Sequence, residues 1–183
     1  NKKLKKKDNY SASKILGEKK LISIKNKKTK LLIIRPCNLF GYPVYKTKNC
    51  WKLVINSILK QVTLNKKYII NSEKNNYRNY SSVKNFCLFL LNLIRKIKKM
   101  KFKNNIFIIN YTSNKNLNLI DLAKVIREKI KNKNNIIFKH KKLKKAKFIK
   151  YDSNYLGKLY SSHDRYFNEE IENTITYIKK IFK

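Results

Sequence analysis

An α/β chain is what this sequence predicts, and three observations carry the prediction. Stretches with apolar residues at helical spacing alternate with short uninterrupted apolar runs, the pattern of strands buried in a parallel sheet. The first helical stretch, residues 11 to about 24, leads through a charged turn at 25–30 into such a run, LLII at 31–34. Helices and strands then alternate to the C-terminus, though not in the strict order of a complete doubly wound sheet. With 183 residues, 42% of them hydrophobic, the chain has room for one domain, or for a domain and part of another.

Residues 1–9 are polar and read as a loop entering the first helix, where Ala12, Ile15, Leu16 and Ile22 fit one face. Residues 31–34 read as a strand buried on both faces. The loop at 36–50 is long for a connector and rich in polar and aromatic side chains, which favours function over linkage. Residues 51–62 predict an amphipathic helix through Leu53, Val54, Ile55, Ile58 and Leu59. Short strands follow at 68–70 and 77–80, then a largely buried helix at 83–97 and a strand at 105–109. Asn118 is placed to cap a helix carrying Leu119, Leu122, Val125, Ile126 and Ile130. A strand at 135–138, a solvated basic run at 139–147, a short helix at 153–159 and a final helix at 168–182 complete the reading. Glu169, Glu170 and Glu172 lie near the positive end of that last helix.

The formal net charge of +36 points at first to nucleic acid or an anionic surface. Yet the only arginines are Arg35, Arg78, Arg95, Arg127 and Arg165, whereas phosphate and base recognition draws heavily on the guanidinium fork. The lysines are spread along the whole chain among Asn and Ile, a genome-wide compositional bias, so no specific nucleic-acid partner is expected. Cys37, Cys50 and Cys87 form no C-x-x-C pair, and His140 and His163 lie far from them in sequence. Neither a disulfide framework nor a metal site is supported, and a reduced, cytoplasmic setting is expected. The longest apolar run, 86–94, is too short to span a bilayer, so no membrane partner is expected. Only Gly17, Gly41 and Gly157 are present, too few and too scattered for a glycine-rich phosphate loop.

Tyr10 and Lys14 stand one helical turn apart in YSASK, so the ammonium can sit beside the phenol. A neighbouring cation favours phenolate, which would let such a Tyr exchange protons with a substrate hydroxyl near neutral pH. The spacing recurs at Tyr42/Lys46, Tyr80/Lys84 and Tyr111/Lys115. What sets Tyr10 apart is its place ahead of the buried run and the polar loop.

YSASKILGEKKL, LLIIRPCNLFG and YRNYSSV, in this order and spacing, resemble the extended short-chain dehydrogenase/reductase family, specifically its NAD-dependent nucleotide-sugar epimerases and dehydratases. The resemblance implies the C-terminal part of a Rossmann-like fold with the small α+β substrate-binding subdomain, the N-terminal βαβ dinucleotide-binding half being missing. Residues 1–50 would end the Rossmann-like domain; 51–183 would be mainly the substrate-binding subdomain, with returning Rossmann elements interleaved. On this resemblance Tyr10 is the catalytic acid/base, and Lys14 binds the nicotinamide ribose and lowers the Tyr pKa. Pro36 and Cys37 lie against the nicotinamide of NAD, with NADP left open. Asn38 and Arg78 hold the diphosphate of a nucleotide-sugar substrate. Asn79 and Asn85 stand where the family commonly has Asp, departures expected to weaken local hydrogen bonding or ion pairing; Tyr111 and Thr112 stand where it has a small Ile and a Gly.

The reaction so implied is transient hydride transfer from a sugar carbon to NAD while Tyr10 takes the hydroxyl proton, as in enzymes of surface-polysaccharide sugar synthesis. The third member of the catalytic set and the phosphate cradle are expected upstream of Asn1. The isolated chain is therefore expected to bind NAD poorly and turn over nothing without its missing half; a homodimer is left open. Two other readings stand beside this one: a Lys-rich, ribosome-associated nucleic-acid-binding module, and an inactive remnant of the epimerase, suggested by Asn79, Asn85 and Tyr111.

Overall fold

The computed structural model describes residues 9–24, 28–44, 49–70, 76–97, 105–130, 135–139 and 164–182. Five α-helices and seven strands occur among them: α1 (Asn9–Ile24), β1 (Leu31–Pro36), β2 (Asn38–Phe40), α2 (Val54–Thr63), β3 (Tyr68–Ile70), β4 (Arg78–Ser82), α3 (Val83–Lys96), β5 (Ile106–Tyr111), β6 (Lys115–Leu117), α4 (Leu119–Lys129), β7 (Ile136–Phe138) and α5 (Phe167–Ile181). A 3-10 turn at Asn49–Lys52 precedes α2, so the helix expected from residue 51 begins at Val54. The basic run at 140–147 and the short helix expected at 153–159 lie outside the described residues.

The strands form three small sheets. β1 runs parallel to β5, with Ile33 opposite Ile108 and Pro36 opposite Tyr111. β2 and β4 are parallel, and β6 adds antiparallel to β4. β3 and β7 form a parallel pair. The first two sheets meet at Cys37, which lies between β1 and β2 and donates its backbone N–H to Tyr111 O at 2.9 Å.

Two apolar clusters hold these layers together. The larger joins α2 (Ile55, Ile58, Leu59, Val62), α4 (Leu122, Ala123, Ile126) and α5 (Phe167, Ile171, Ile175, Ile178) around Phe40, Trp51 and Ile136. Each helix presents these residues at three- and four-residue spacing, so one stripe is buried and the lysines face water. The smaller cluster packs Phe89 and Leu93 of α3 on Ile109 and Tyr111 of β5, with Leu32 and Ile34 of β1 against them.

The helix ends follow local chemistry. Asn118 caps α4 by accepting from Ile120 N and Asp121 N at 2.9 and 3.0 Å, as its position predicts. Asn65, at φ 57°, closes α2: its N–H bonds Val62 O while Lys66 N bonds Gln61 O, the paired C-terminal motif usually built on glycine. In this glycine-poor chain Asn takes that place, because its short polar side chain tolerates the left-handed region.

Three expectations need correction. Only Ile33 of β1 is buried, because β1 has one strand neighbour among the described residues. α3 is amphipathic rather than largely buried: Asn85, Phe89 and Leu93 point inward, whereas Leu91 and Ile94 are exposed. α1 has no buried residue, and the side it turns inward is Ser11, Ala12, Ile15 and Glu18, with Leu16 and Ile22 outside. β2 and β6, each three residues long, have no counterpart in the sequence reading, since NLF and KNL lack the continuous apolar run that marks the equally short β3 and β7.

Candidate functional site

α1 is tied to the sheet by Glu18, whose carboxylate accepts from Arg35 Nε at 2.9 Å and Nη2 at 2.6 Å. This fork-to-fork contact raises the Arg35 pKa above its ordinary value, through the Glu18 hydrogen bonds first. α1 ends at Ile24 and β1 begins at Leu31, and Glu18, before that end, pairs with Arg35, beyond that start, so α1 runs antiparallel to β1. Its N-terminal end, with Tyr10 and Lys14, therefore projects on the side to which β1 points, where open α/β sheets bind ligands.

Tyr10 is 73% exposed, and Lys14 Nζ stands 5.3 Å from the centre of its ring. Of the four Tyr/Lys spacings, this one lies wholly on a helix. Tyr80 and Lys84 are split between β4 and α3, and Lys84 Nζ instead meets Glu169 at 2.6 Å and the Tyr166 ring. Tyr111 and Lys115 are split between β5 and β6, with Lys115 over the Phe167 ring. Lys46 lies outside the described residues.

At the mouth of β1, Pro36 is exposed and Cys37 half-buried. Burial pushes the Cys37 thiol up to about 12, so it is neutral across the physiological range, a small apolar wall rather than a nucleophile. Asn38 is exposed and donates Nδ2 to Asn79 O at 2.9 Å. Arg78, one residue before that carbonyl, begins β4 opposite Leu117 of β6, and its exposed side chain has no ion pair or hydrogen bond among the described residues. The structure thus brings Asn38 beside the Arg78 strand and places Pro36 and Cys37 just before it. No hydrogen bond among the described residues joins Tyr10 or Lys14 to these four.

The expected weakening at the departures is not what the structure shows. Asn79 is buried and pairs with the Ser113 backbone in both directions, donating Nδ2 to Ser113 O and accepting from Ser113 N, each at 2.8 Å. An ionised Asp could accept there but not donate. Asn85, also buried, donates Nδ2 to the Tyr111 hydroxyl at 3.0 Å. That hydroxyl lies 2.8 Å from Ser81 Oγ, which donates in turn to Asp164 Oδ2 at 3.0 Å.

Asp164 has no place in the sequence reading, and Ser81 and Ser82 enter it only as part of YRNYSSV, with no role of their own. The Asp164 carboxylate accepts from Ser81 Oγ, Ser82 N, Ser82 Oγ and Tyr166 N, and so locks the β4–α3 corner to the start of α5. Its signal was scarcity: with ten acidic residues against 46 basic ones, an Asp just ahead of the last helix has a reason to be there. A second buried carboxyl, Glu170, presses on Gly41. A Cβ added at Gly41, just after β2, would lie 2.5 Å from Glu170 Oε1, so a larger residue there must push the Glu170 side chain aside. Burial holds the Glu170 carboxyl above the ordinary carboxylate range. Among the described residues no group of His, Cys, Asp and Glu is arranged to hold a metal, and no helix is long and apolar enough to cross a membrane.

The sequence pattern of the NAD dependent epimerase/dehydratase family matches residues 1–110. No curated protein matches the chain. Solved structures do, at identities that speak to fold alone. UDP-N-acetylglucosamine 4-epimerase from Methanobrevibacter ruminantium M1, in complex with UDP-N-acetylmuramic acid, superposes with TM-score 0.70 at 18% identity, covering 99% of this chain and 59% of that one. UDP-glucose 4-epimerase from Bifidobacterium longum, in complex with NAD+ and UDP, gives 0.71 at 12%, covering 95% and 55%. RMD from Pseudomonas aeruginosa, complexed with NADPH, gives 0.69 at 13%, covering 93% and 55%. The chain spans little more than half the length of these proteins. Its α/β architecture is that of the Rossmann-like epimerase and short-chain dehydrogenase enzymes.

Proposed function

Because the chain belongs to the NAD dependent epimerase/dehydratase family, we propose that it forms the substrate side of an NAD(P)-dependent nucleotide-sugar epimerase or dehydratase. The observation that carries this reading is that the β2–β4 pairing brings Asn38 to the strand that Arg78 begins: its amide is anchored on Asn79 O, one residue along the chain from an exposed Arg78 with no carboxylate partner among the described residues. Arg35 has its carboxylate in Glu18; Arg78 has none among the described residues and is free to take a diphosphate through its planar fork. Residues 1–50, with β5 and α3 packed behind them, would carry the nicotinamide side, and the larger α2–α4–α5 core would support the sugar side.

The residues present fit the nicotinamide-ribose half of NAD(P). Lys14 and Tyr10 are accessible side by side on α1, and Pro36 with the neutral Cys37 thiol offers an uncharged surface at the strand end. The cofactor, when bound, supplies the hydride acceptor that makes the sugar hydroxyl carbon reactive. Tyr10 takes the hydroxyl proton at its phenolic oxygen and returns it. Lys14 binds the ribose beside Tyr10; Asn38 and Arg78 fix the diphosphate so that the sugar reaches Tyr10. A dinucleotide-binding partner half would supply the phosphate cradle, and the resemblance of WKLVINSILKQ, coming after GYPVYKTKNC, to surface-polysaccharide members supports a role in that sugar supply.

UDP titration of the chain tests the binding half of the reading. It is run at 0.15 M salt or above, where diffuse attraction to the lysines is screened, to about an 8 Å range. Arg78→Ala should weaken UDP about 10- to 100-fold, the worth of one charge-assisted pair, while Lys179→Ala on α5 changes nothing. Equal loss from both variants, or none from Arg78→Ala, would falsify it.

A further inference from the structure

The hydrogen-bond chain around Tyr111 has a fixed direction. The Asn85 amide N–H can only donate, so the Tyr111 oxygen accepts it at 3.0 Å. The single Ser81 hydroxyl proton goes to the Asp164 carboxylate at 3.0 Å, its other acceptor, Ser82 O, being at 3.5 Å. Between Tyr111 and Ser81, 2.8 Å apart, Tyr111 must therefore be the donor. Protons point one way, from Asn85 through Tyr111 and Ser81 to Asp164, and all four side chains are buried.

We propose that Asn85 and Tyr111 are a matched pair of positioning residues, which through Ser81 hold the β2–β4 register that sets Asn38 opposite Tyr80, two residues from Arg78. With Asp at 85 the Tyr111 proton would have two acceptors and the Tyr111 oxygen no amide donor, so one link would open. With an apolar residue at 111 the Asn85 amide and the Ser81 oxygen would each lose a buried partner. Either change alone breaks the relay. Ser81 stands opposite Leu39 in the β2–β4 pairing, one position from Asn38 and three from Arg78. Tyr111 also holds the other side of the mouth, since its carbonyl accepts the Cys37 N–H. The positioning role rests on the reading of Asn38 and Arg78 as diphosphate ligands; the pairing itself does not.

The test is a double-mutant cycle on Tyr111→Phe, Asn85→Leu and both together, read by Tm and by UDP affinity at 25 °C on protein shown to be folded. Each single variant should lower Tm by about 3 to 8 °C, and the double by clearly less than the sum, because either single variant already breaks the Asn85–Tyr111 bond and the double can lose it only once. UDP affinity should fall about 3- to 10-fold in each folded single variant, a loss that a purely structural pair would not produce. Additive Tm shifts overturn the pairing; unchanged UDP affinity in folded Tyr111→Phe overturns the positioning role. Should wild type bind UDP no better than Arg78→Ala, the proposed function fails, and the positioning role with it, while the Tm cycle still decides the pairing. If Tyr111→Phe does not fold, Ser81→Ala opens the same relay one link on and replaces it.

Discussion

Cys37 shows how a residue's place sets its chemistry. Its thiol sits half-buried at the junction of two sheets, and desolvation outweighs the hydrogen bonds that would favour thiolate, pushing its pKa to about 12. It should resist alkylation at pH 8 in the native chain, while the exposed Cys87 is modified readily. Peptide mapping after a timed iodoacetamide pulse checks this; equal labelling of the two would refute it. The linkage sign follows. Between the ordinary thiol pKa of 9.0 and about 12, the unfolded chain loses a proton that the native chain keeps, so this group lowers stability as pH rises through that window. Residue identity alone could not show as much at Asn79 and Asn85. Each replaces a carboxylate by an amide and reads as a loss, but the partners that use the extra donor, Ser113 O and the Tyr111 hydroxyl, come from segments some 25 to 35 residues away. A single chain without its contacts cannot reveal that match.

Among the elements, legibility tracks length and burial. α2, α4 and α5 were visible because each buries one stripe at helical spacing in the larger core. β2 and β6 were not, since NLF and KNL lack the continuous apolar run that made the equally short β3 and β7 readable, and their place was decided by β4 lying between them. α1 was legible as a helix, yet its apolar positions misled: nothing on it is buried, and its attachment to β1 rests on partly buried contacts and the Glu18–Arg35 pair. A pair this exposed contributes about 0 to 1 kcal/mol even with good geometry. α1 should accordingly be the least protected helix, with its amides exchanging at least about 10-fold faster than those of α2. Glu18→Gln or 1 M NaCl should speed α1 exchange further and leave α2 and α5 unchanged. Hydrogen-exchange mass spectrometry on Asn9–Ile24 reads this, and protection of α1 equal to that of α2 would contradict it.

For the molecule as a whole, net charge was the loudest feature of the sequence and the least informative about the fold, since lysines coat the outside of helices whose inner faces decide the packing. The scarce carboxylates matter more. Asp164 is fully engaged, but Glu170 is buried against Gly41 and Val83 with the Asp164 and Glu169 charges near it; the Lys84 backbone N–H and side-chain charge oppose the shift without reversing it. The folded-state pKa therefore lies above the unfolded value, and the native chain holds a proton that the unfolded chain releases. Below pH 4.5 both states are protonated and Glu170 carries no penalty. As pH rises from there through the raised folded value, stability falls, and above it the cost of the buried anion is fully present. Glu170→Gln keeps the shape and an acceptor for the Lys84 N–H but removes the charge. It should raise Tm at pH 7 and leave it close to wild type at pH 4, with the gap closing on the acid side. A thermal-melt series from pH 4 to 8 on both proteins decides the point: a gap that widens toward pH 4, or a variant less stable than wild type at pH 7, would show that the Glu170 carboxylate is a stabilising cap on α3 rather than a buried cost.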